Sequence, residues 1–370
     1  MILNTSILAP LQSRHLAPLK TWLGVDIGRS ALKLVEVEQD EDRWKICQMQ
    51  YSSICDLSLW QNKSLSTSEL TRELSQLMEL SSGWKHRKAA ALLSMSAADL
   101  RIMSLPKTAR DEFEEVIYDE LVKDFQEDVI FDYWETEAEL SDSSNDLSSL
   151  IVYSHTFNNS SAVGNSLSRV GLNCRILDGL PFALARAVAM AEPHTRHQTM
   201  VAFDWGYSTA SITFLKSHTP FYTRILRGCQ FQRFLEMLSR ELDLPEQHCW
   251  NLLRTSFSRE NRSVDFQSAL SKRLQPVIQD YLDLVQKELV RTLQYVEQNS
   301  RLPRWEKITV LGGGALFPQV YEPLEKRIEL TLKPWSLPLA EELDSSMHRE
   351  LVPLFGPAAA LAALSFRRWR

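Results

Sequence analysis

One pattern occurs twice, about half a chain apart, and it restricts the possible folds more than any other feature. WLGVDIGRSALKLVEVE, Trp22 to Glu38, alternates apolar and polar residues up to Asp26-Ile27-Gly28, turns, and alternates again. TMVAFDWGYSTASITFLK, from Thr199, does the same around Asp204-Trp205-Gly206. Period-two alternation interrupted by a short Gly-containing break reads as strand, turn, strand. Repetition of such a unit at long range implies two lobes of related build.

The flanking sequence extends each hairpin. RWKICQMQYSSIC adds a third strand, so the opening is a meander. STSELTRELSQLMELSS has helical spacing at Leu70, Leu74, Leu77 and Met78, and KAAALLSM reads as a buried strand. The order is β-β-β-α-β. RIMSLPKTARDEFEEVIYDELVKDFQ starts extended and becomes a helix after Pro106. Its first turn, with Asp111, Glu112, Glu114 and Glu115, suits the positive end of a helix dipole. VIFDYWETEAE and LIVYSHTF are strands around an exposed polar turn, LSDSSNDLSS. NNSSAVGNSLSRVG is a helix ending at Gly171, LNCRILDG a strand and LPFALARAVAMA an apolar helix.

The second half repeats the meander over Thr199–Leu226, with a helix in CQFQRFLEMLSRELDL. Apolar residues at Val277, Ile278, Tyr281, Leu282, Val285, Leu289, Leu293 and Val296 predict a long amphipathic helix from Pro276 to Gln298. KITVLGGGALF is a strand running into Gly312-Gly313-Gly314, and PQVYEPLEKRIEL is a helix. GPAAALAALSFRRWR is a small-residue helix with a basic, aromatic tip.

Composition narrows the function classes. With 41 Lys and Arg against 47 Asp and Glu, the net charge of -6 gives no support to a nucleic-acid partner. The five cysteines (Cys47, Cys55, Cys174, Cys229, Cys249) form no CxxC pair and are odd in number. Zinc and a disulfide framework are disfavoured, and a reducing compartment fits. The first 21 residues read as a disordered leader, not a secretion signal. No apolar run is long enough to span a membrane. The histidines form no metal-binding pattern, and His194 and His197 lie in a polar loop.

Glycine at a hairpin tip lets backbone N–H groups approach a phosphate, and an adjacent carboxylate can hold hydrated Mg²⁺. Asp26 with Gly28, and Asp204 with Gly206, have that form. Asp and Gly also make ordinary turns. Two such tips could clamp a triphosphate, since two carboxylates facing one gap repel unless a cation sits there. Gly312–Gly314 allow a flat ligand such as adenosine to lie on backbone, or form a tight strand-to-helix turn. No GK[ST] follows, so this is not a P-loop.

Asp-x-Gly hairpin, helix, Asp-x-Gly hairpin and Gly-Gly-Gly, in that order, resemble the actin-like ATPase superfamily (actin, Hsp70 chaperones, sugar kinases, FtsA). Within it the sequence is most similar to PilM-type proteins of type IV pilus assembly. The likeness runs collinearly over roughly Trp22 to Leu364. It is carried by LGVDIGRSALKLVEVE, MSLPKTARDEFEEVIYDEL, SLSRVGLNCRILDGLPFALARAVA and RTLQYVEQNSRLPRWEKITVLGGGALFPQVYEPLEKRI.

The resemblance implies an α/β, actin-like ATPase fold with two ribonuclease H-like lobes. Lobe I would be 22–190, with a small inserted subdomain at about 101–178. Lobe II would be 199–351, and a C-terminal helix, 352–370, would return to lobe I. It implies ATP and Mg²⁺ as ligands. Asp26 and Asp204 would hold Mg²⁺ through water. Gly28, Arg29, Ser30, Lys33, Gly206, Ser208 and Thr209 would line the phosphates, and Gly312, Gly313 and Gly314 the adenosine. The implied partner is the short N-terminal cytoplasmic peptide of a PilN-like inner-membrane protein, beside other pilus or type II secretion assembly proteins. The protein would then be cytoplasmic, with indirect membrane contact.

Three features depart from the family pattern. Arg29 replaces a small residue in the first phosphate loop. Trp205 replaces an aliphatic residue in the second, and strand alternation points it into the lobe core. Leu180 stands before Pro181 where hydrolysing relatives carry an acidic residue, which leaves Asp178 as the nearby candidate for catalysis. Nucleotide binding is therefore better supported than hydrolysis. The tail Phe366–Arg370 suits the C-terminal dipole of a packed helix better than a membrane anchor. Phe131, Tyr133 and Trp134 read as packing, or as the wall of a peptide groove. A nucleotide-free scaffold, a small-molecule kinase of the same fold and an FtsA-like filament are the alternatives.

Overall fold

The computed structural model describes residues 21–366 except 42, 54–59, 62–63, 80–82, 94, 96–97, 107–109, 136–146, 196–197, 258–268, 300–304 and 344. The expected leader, Cys55, most of the polar turn LSDSSNDLSS, His197 and the basic tip beyond Phe366 lie outside the described residues. The chain divides into two compact units. Unit 1 is Met1–Met190 with Leu337–Asp344 and Pro357–Arg370; unit 2 is Ala191–Ser336 with Ser345–Gly356.

Unit 1 opens with the meander β1 (Leu23–Ile27), β2 (Ala31–Asp40) and β3 (Arg43–Ser53). A two-residue pair, β4 (Trp60–Gln61) and β5 (Ser64–Leu65), leads into α1 (Thr67–Glu79) and β6 (Lys88–Leu93). After an insertion come α3 (Phe157–Arg169), β10 (Asn173–Asp178) and α4 (Leu180–Ala191). The sheet order is β10-β6-β1-β2-β3, with β1, β6 and β10 parallel. Strand alternation sorts β1. Leu23, Val25 and Ile27 join the core made with Leu70, Leu74 and Leu77 of α1 and Ala162, Val163 and Leu167 of α3. Gly24 faces the other way, against the C-terminal helix. A Cβ there would stand 1.8 Å from the Ala358 carbonyl oxygen, so only glycine lets that helix lie on β1.

The insertion is β7 (Ala98–Pro106), α2 (Arg110–Phe125), β8 (Val129–Glu135) and β9 (Leu147–Thr156). The antiparallel sheet β7-β9-β8 packs on α2 through its own core of Phe113, Ile117, Leu121, Val129, Leu150 and Val152. It is narrower than the expected 101–178, because α3 and β10 belong to the main sheet and core. β9 also begins earlier than the polar sequence suggests. Ser148 and Ser149 are buried in the ladder, and Ser148 Oγ donates to Glu135 at 3.1 Å.

Unit 2 repeats the plan. β11 (Thr199–Trp205), β12 (Ala210–Lys216) and β13 (Thr219–Ile225) form a meander, followed by α5 (Phe231–Leu242), α6 (Glu246–Phe257) and α7 (Ala269–Asn299). Then come β14 (Lys307–Leu311), α8 (Pro318–Ile328), β15 (Thr331–Pro334) and α9 (Ser346–Leu351), and α10 (Gly356–Ala362) leads back into unit 1. The order β15-β14-β11-β12-β13 matches that of unit 1 strand for strand. The long helix does not begin at Pro276 but runs through it. An interior proline costs roughly 3 kcal/mol. Burial of Leu274, Val277, Ile278 and Tyr281 in the unit 2 core offsets this.

Candidate functional site

Each hairpin tip is set by backbone pairing. In unit 1 the Gly28 N–H donates to Ala31 O at 3.0 Å and closes the turn, and a Cβ on Gly28 would stand 3.0 Å from that same oxygen. Across the ladder Asp26 pairs with Lys33, and the Lys33 ammonium donates to Asp26 Oδ2 at 2.6 Å. Asp26 is only 6% exposed, so the contact neutralises a buried carboxylate. Arg29 and Ser30 are half-buried at the tip.

Asp178 lies in the same row of the sheet. Asp26 and Asp178 both pair with Leu92, one on each side of β6. Three sequence candidates, Asp26, Lys33 and Asp178, thus share one level of unit 1. Asp178 accepts from the Gly179 N–H at 2.8 Å and is ion-paired with Arg186 of α4, whose Nε donates to Ala360 O at 3.3 Å. Burial pushes the Arg186 guanidinium down to about 10, so it stays cationic at neutral pH.

In unit 2 the tip is pinned to α5. Gly206 O accepts from the Phe231 N–H at 3.0 Å, and Tyr207 O from the Gln232 N–H at 2.9 Å. A Cβ on Gly206 would stand 2.6 Å from Thr209 O. Ser208 and Thr209 are half-buried, and the Tyr207 hydroxyl donates to Glu246 Oε2 of α6 at 3.0 Å. Asp204 pairs with Ser211 on β12 and with Leu311 on β14, so the glycine turn starts directly beside it. A Cβ on Gly312, where φ is +84°, would stand 3.0 Å from Asp204 Oδ1 and 2.7 Å from Trp205 O. Trp205 points into the core, fully buried. Its Nε1–H is shared between Cys229 O at 2.9 Å and the Tyr281 hydroxyl at 2.7 Å. Gly314 lies on that indole, where a Cβ would come within 2.3 Å. The second Asp-x-Gly and the triple glycine, remote in sequence, therefore form one cluster.

The donor sets fit a nucleotide in different ways. The unit 1 tip offers a guanidinium, a hydroxyl and an ammonium, which suit anionic oxygens. Residues 204–209 offer a carboxylate and hydroxyls but no basic side chain, which suits a phosphate carried with a cation. Among the described residues no three His, Cys, Asp or Glu side chains gather as a metal site. A magnesium ion would therefore keep most of its water and use single carboxylates, as Mg²⁺ commonly does. Sequence reasoning missed α6, with Glu246 and Trp250, although Pro245 followed by Cys249 and Leu253 at i,i+4 spacing is a faint helix signal. It also missed Arg186 as the partner of Asp178.

The sequence matches the family described as type IV pilus assembly protein PilM over residues 24–362. Among solved structures, the chain is similar to one titled PilM-PilN type IV pilus biogenesis complex. The TM-score is 0.74 at 21% identity, covering 93% of this chain and 98% of that one. The ethanolamine utilization protein EutJ from Carboxydothermus hydrogenoformans gives a TM-score of 0.52 at 14% identity, covering 95% of this chain and 90% of its own. No curated protein sequence is a significant match. Among the described residues no helix is long and apolar enough to cross a membrane. The fold is that of the actin-like ATPases, and the chain belongs to the PilM family of type IV pilus assembly proteins.

Proposed function

We propose that the protein is an ATP-binding scaffold that recruits the N-terminal cytoplasmic tail of a PilN-like membrane protein to the pilus machine. One observation carries the nucleotide part: Asp204, Gly206 and the Gly312–Gly314 turn converge at the end of the central strands of unit 2. In this reading Gly28, Arg29, Ser30 and Lys33 serve the phosphates in unit 1, and Gly206, Ser208 and Thr209 serve them in unit 2. Asp26 and Asp204 hold hydrated Mg²⁺, and the glycine turn takes the adenosine. Bound ATP supplies binding energy that favours one state of the protein over another. Asp178, held by Arg186, is the candidate for orienting water if hydrolysis occurs.

In this reading the partner peptide docks on the insertion. Ile102, Ile151 and Trp134 form one row across β7-β9-β8, on the face away from α2. Of this row Ile102, on the β7 edge, is 46% exposed, Ile151 is buried, and Trp134 stands edge-on to Phe182 with ring centroids 4.3 Å apart. The open β7 edge at Ile102 suits an apolar side chain of an extended peptide added along that strand. Through that partner the protein would be held at the cytoplasmic face of the inner membrane.

The test is calorimetric titration of the full chain with ATP and Mg²⁺, beside Asp26→Ala and Asp204→Ala. We expect binding by the parent and at least tenfold weaker binding by both folded variants. Absence of binding by a nucleotide-free parent favours the second reading, a scaffold without nucleotide. Two contacts lend that reading weight: Lys33 on Asp26, and the Trp205 indole filling the space beside Gly314.

A further inference from the structure

β13 is an edge strand: in the order β15-β14-β11-β12-β13 it is paired on one side only. The matching edge in unit 1, β3, is covered by its own chain. The Ile46 N–H donates to Pro338 O and Ile46 O accepts from the Ala340 N–H, both at 2.9 Å, and Trp44 stands edge-on to Phe366. Among the described residues no segment pairs with the outer side of β13. The devices that protect an edge, proline and a bulge, sit only at its start, at Pro220 and between it and Tyr222. From Tyr222 to Ile225 the ladder is regular. The Leu226 N–H donates inward, to Ala210 O at 2.8 Å, so by alternation the backbone groups of Thr223 and Ile225 point outward. The exposed large hydrophobics described in unit 2 border this edge. Ile225 is 42% exposed on it, Tyr295 of α7 (46%) lies against Tyr222 with ring centroids 5.7 Å apart, and Leu284 (36%) lies beside Gly228. Arg224, on the α7 side of the strand, is neutralised by Glu288 of α7 at 2.9 Å.

We infer that the outer edge of β13 is a self-association surface, on which a second copy of this chain pairs its own β13 antiparallel, about a twofold axis at Thr223. The strand is self-complementary in that register. Thr223 meets Thr223 of the second copy, Tyr222 meets its Arg224, and Phe221 meets its Ile225. Residues directly opposite share a face, so on the α7 side an aromatic ring receives a guanidinium, and on the other side apolar side chains meet. Arg224 is the one charged residue of the strand, so no like charges oppose each other. Pairing centred on Arg224 itself would set two guanidinium groups together. A twofold contact uses the edge of each copy, joins the two five-stranded sheets and stops. It is closed and does not propagate into a filament. It needs neither the nucleotide nor the partner peptide proposed above.

The experiment is sedimentation of the full chain over a wide range of concentration, beside Ile225→Lys and Thr223→Cys. The parent should run as a dimer at the higher concentrations and dissociate on dilution. Ile225→Lys puts a lysine from each copy into the contact and should weaken dimerisation about tenfold or more, with far-UV circular dichroism unchanged. Thr223→Cys reads the register. In a hydrogen-bonded antiparallel pair the two Cα atoms are about 5.5 Å apart, within the span of a disulfide. Copper phenanthroline in air should convert this variant to a covalent dimer. The parent, with its own five cysteines, and Thr219→Cys, away from the axis, should stay unlinked under the same treatment. A parent that remains monomeric throughout would overturn the inference. So would a dimer that Ile225→Lys leaves intact and Thr223→Cys does not link. A species that grows without limit as concentration rises would also overturn it, because open growth requires a heterologous contact.

Discussion

Asp26 and Asp204 occupy the same place in two sheets of the same order, each on the first strand of a meander and each beside a leucine of the next parallel strand. Their neighbours differ. Opposite Asp26 stands Lys33; opposite Asp204 stands Ser211. After Leu92 the chain continues with Leu93, and after Leu311 with Gly312. The residue following the carboxylate is Ile27 in one unit and Trp205 in the other. Backbone pairing uses groups that every residue has, so two sheets can share strand order and register while their side chains differ. Unit 1 carries a cation of its own. Unit 2 has glycines on the neighbouring turn, at Gly312 and Gly314, where a large indole lies.

The largest effect should come from that indole. Trp205→Ala leaves a cavity in a fully packed core and should cost about 3–5 kcal/mol in denaturant unfolding. Gly314→Ala should also be severe in the parent, because the new methyl has nowhere to go. In a Trp205→Ala background it should cost far less, with a coupling of at least about 1 kcal/mol. Additive costs would mean that Gly314 answers to something other than Trp205.

Next comes the ion pair of unit 1. Lys33→Met leaves a buried carboxylate without its cation and should cost about 3 kcal/mol at neutral pH. Adding Asp26→Asn should recover much of that loss. A double variant as unstable as Lys33→Met alone would show that the lysine stem, not the charge, holds the tip.

The comparison also shows what was legible in the sequence. Both meanders, the helices after them and the strand into the triple glycine follow from alternation and helical spacing. The resemblance in motif order points to the family. What escaped was set by distant partners. β15 has four residues, TLKP, and is defined by a parallel neighbour. In α6 the fully buried Cys249 and Leu253 give little contrast along a short helix. The start of α7 was misplaced because tertiary burial overrode a proline. The roles of Gly312 and Gly314 could not be read, since both depend on where one indole, remote in sequence, comes to lie.

A smaller effect separates the units by pH. The insertion, a sheet without counterpart among the described residues of unit 2, holds His155 buried, with Nδ1 2.6 Å from Ser160 Oγ. Burial lowers its pKa, against an opposing pull from the Thr156 backbone. The unfolded chain therefore takes up the proton first. Stability from this group is present above about pH 6.5 and falls as pH drops towards the folded value, by at most about 1.4 kcal/mol per pH unit. His155→Gln should flatten that part of the stability profile on the acid side of about pH 6.5. An unchanged slope would place the proton elsewhere.

Ser211 should give the smallest change and the finest reading of the difference. Its Oγ is fully buried beside Asp204 and has no hydrogen-bond partner in the structure. A hydroxyl of that kind loses its water without compensation, so Ser211→Ala should leave stability unchanged or raise it by up to about 1 kcal/mol. Lys33, at the equivalent place, earns its burial through an ion pair; Ser211 has no such return in the free protein. If Ser211→Ala leaves stability unchanged and weakens ATP binding in the presence of Mg²⁺, the hydroxyl belongs to the ligand. The two tips would then differ in where they find the partner for their second residue: within the chain in unit 1, and on the nucleotide in unit 2. If neither property moves, Ser211 is a small residue that fits under the carboxylate, and the asymmetry between the tips rests on Lys33 and Trp205.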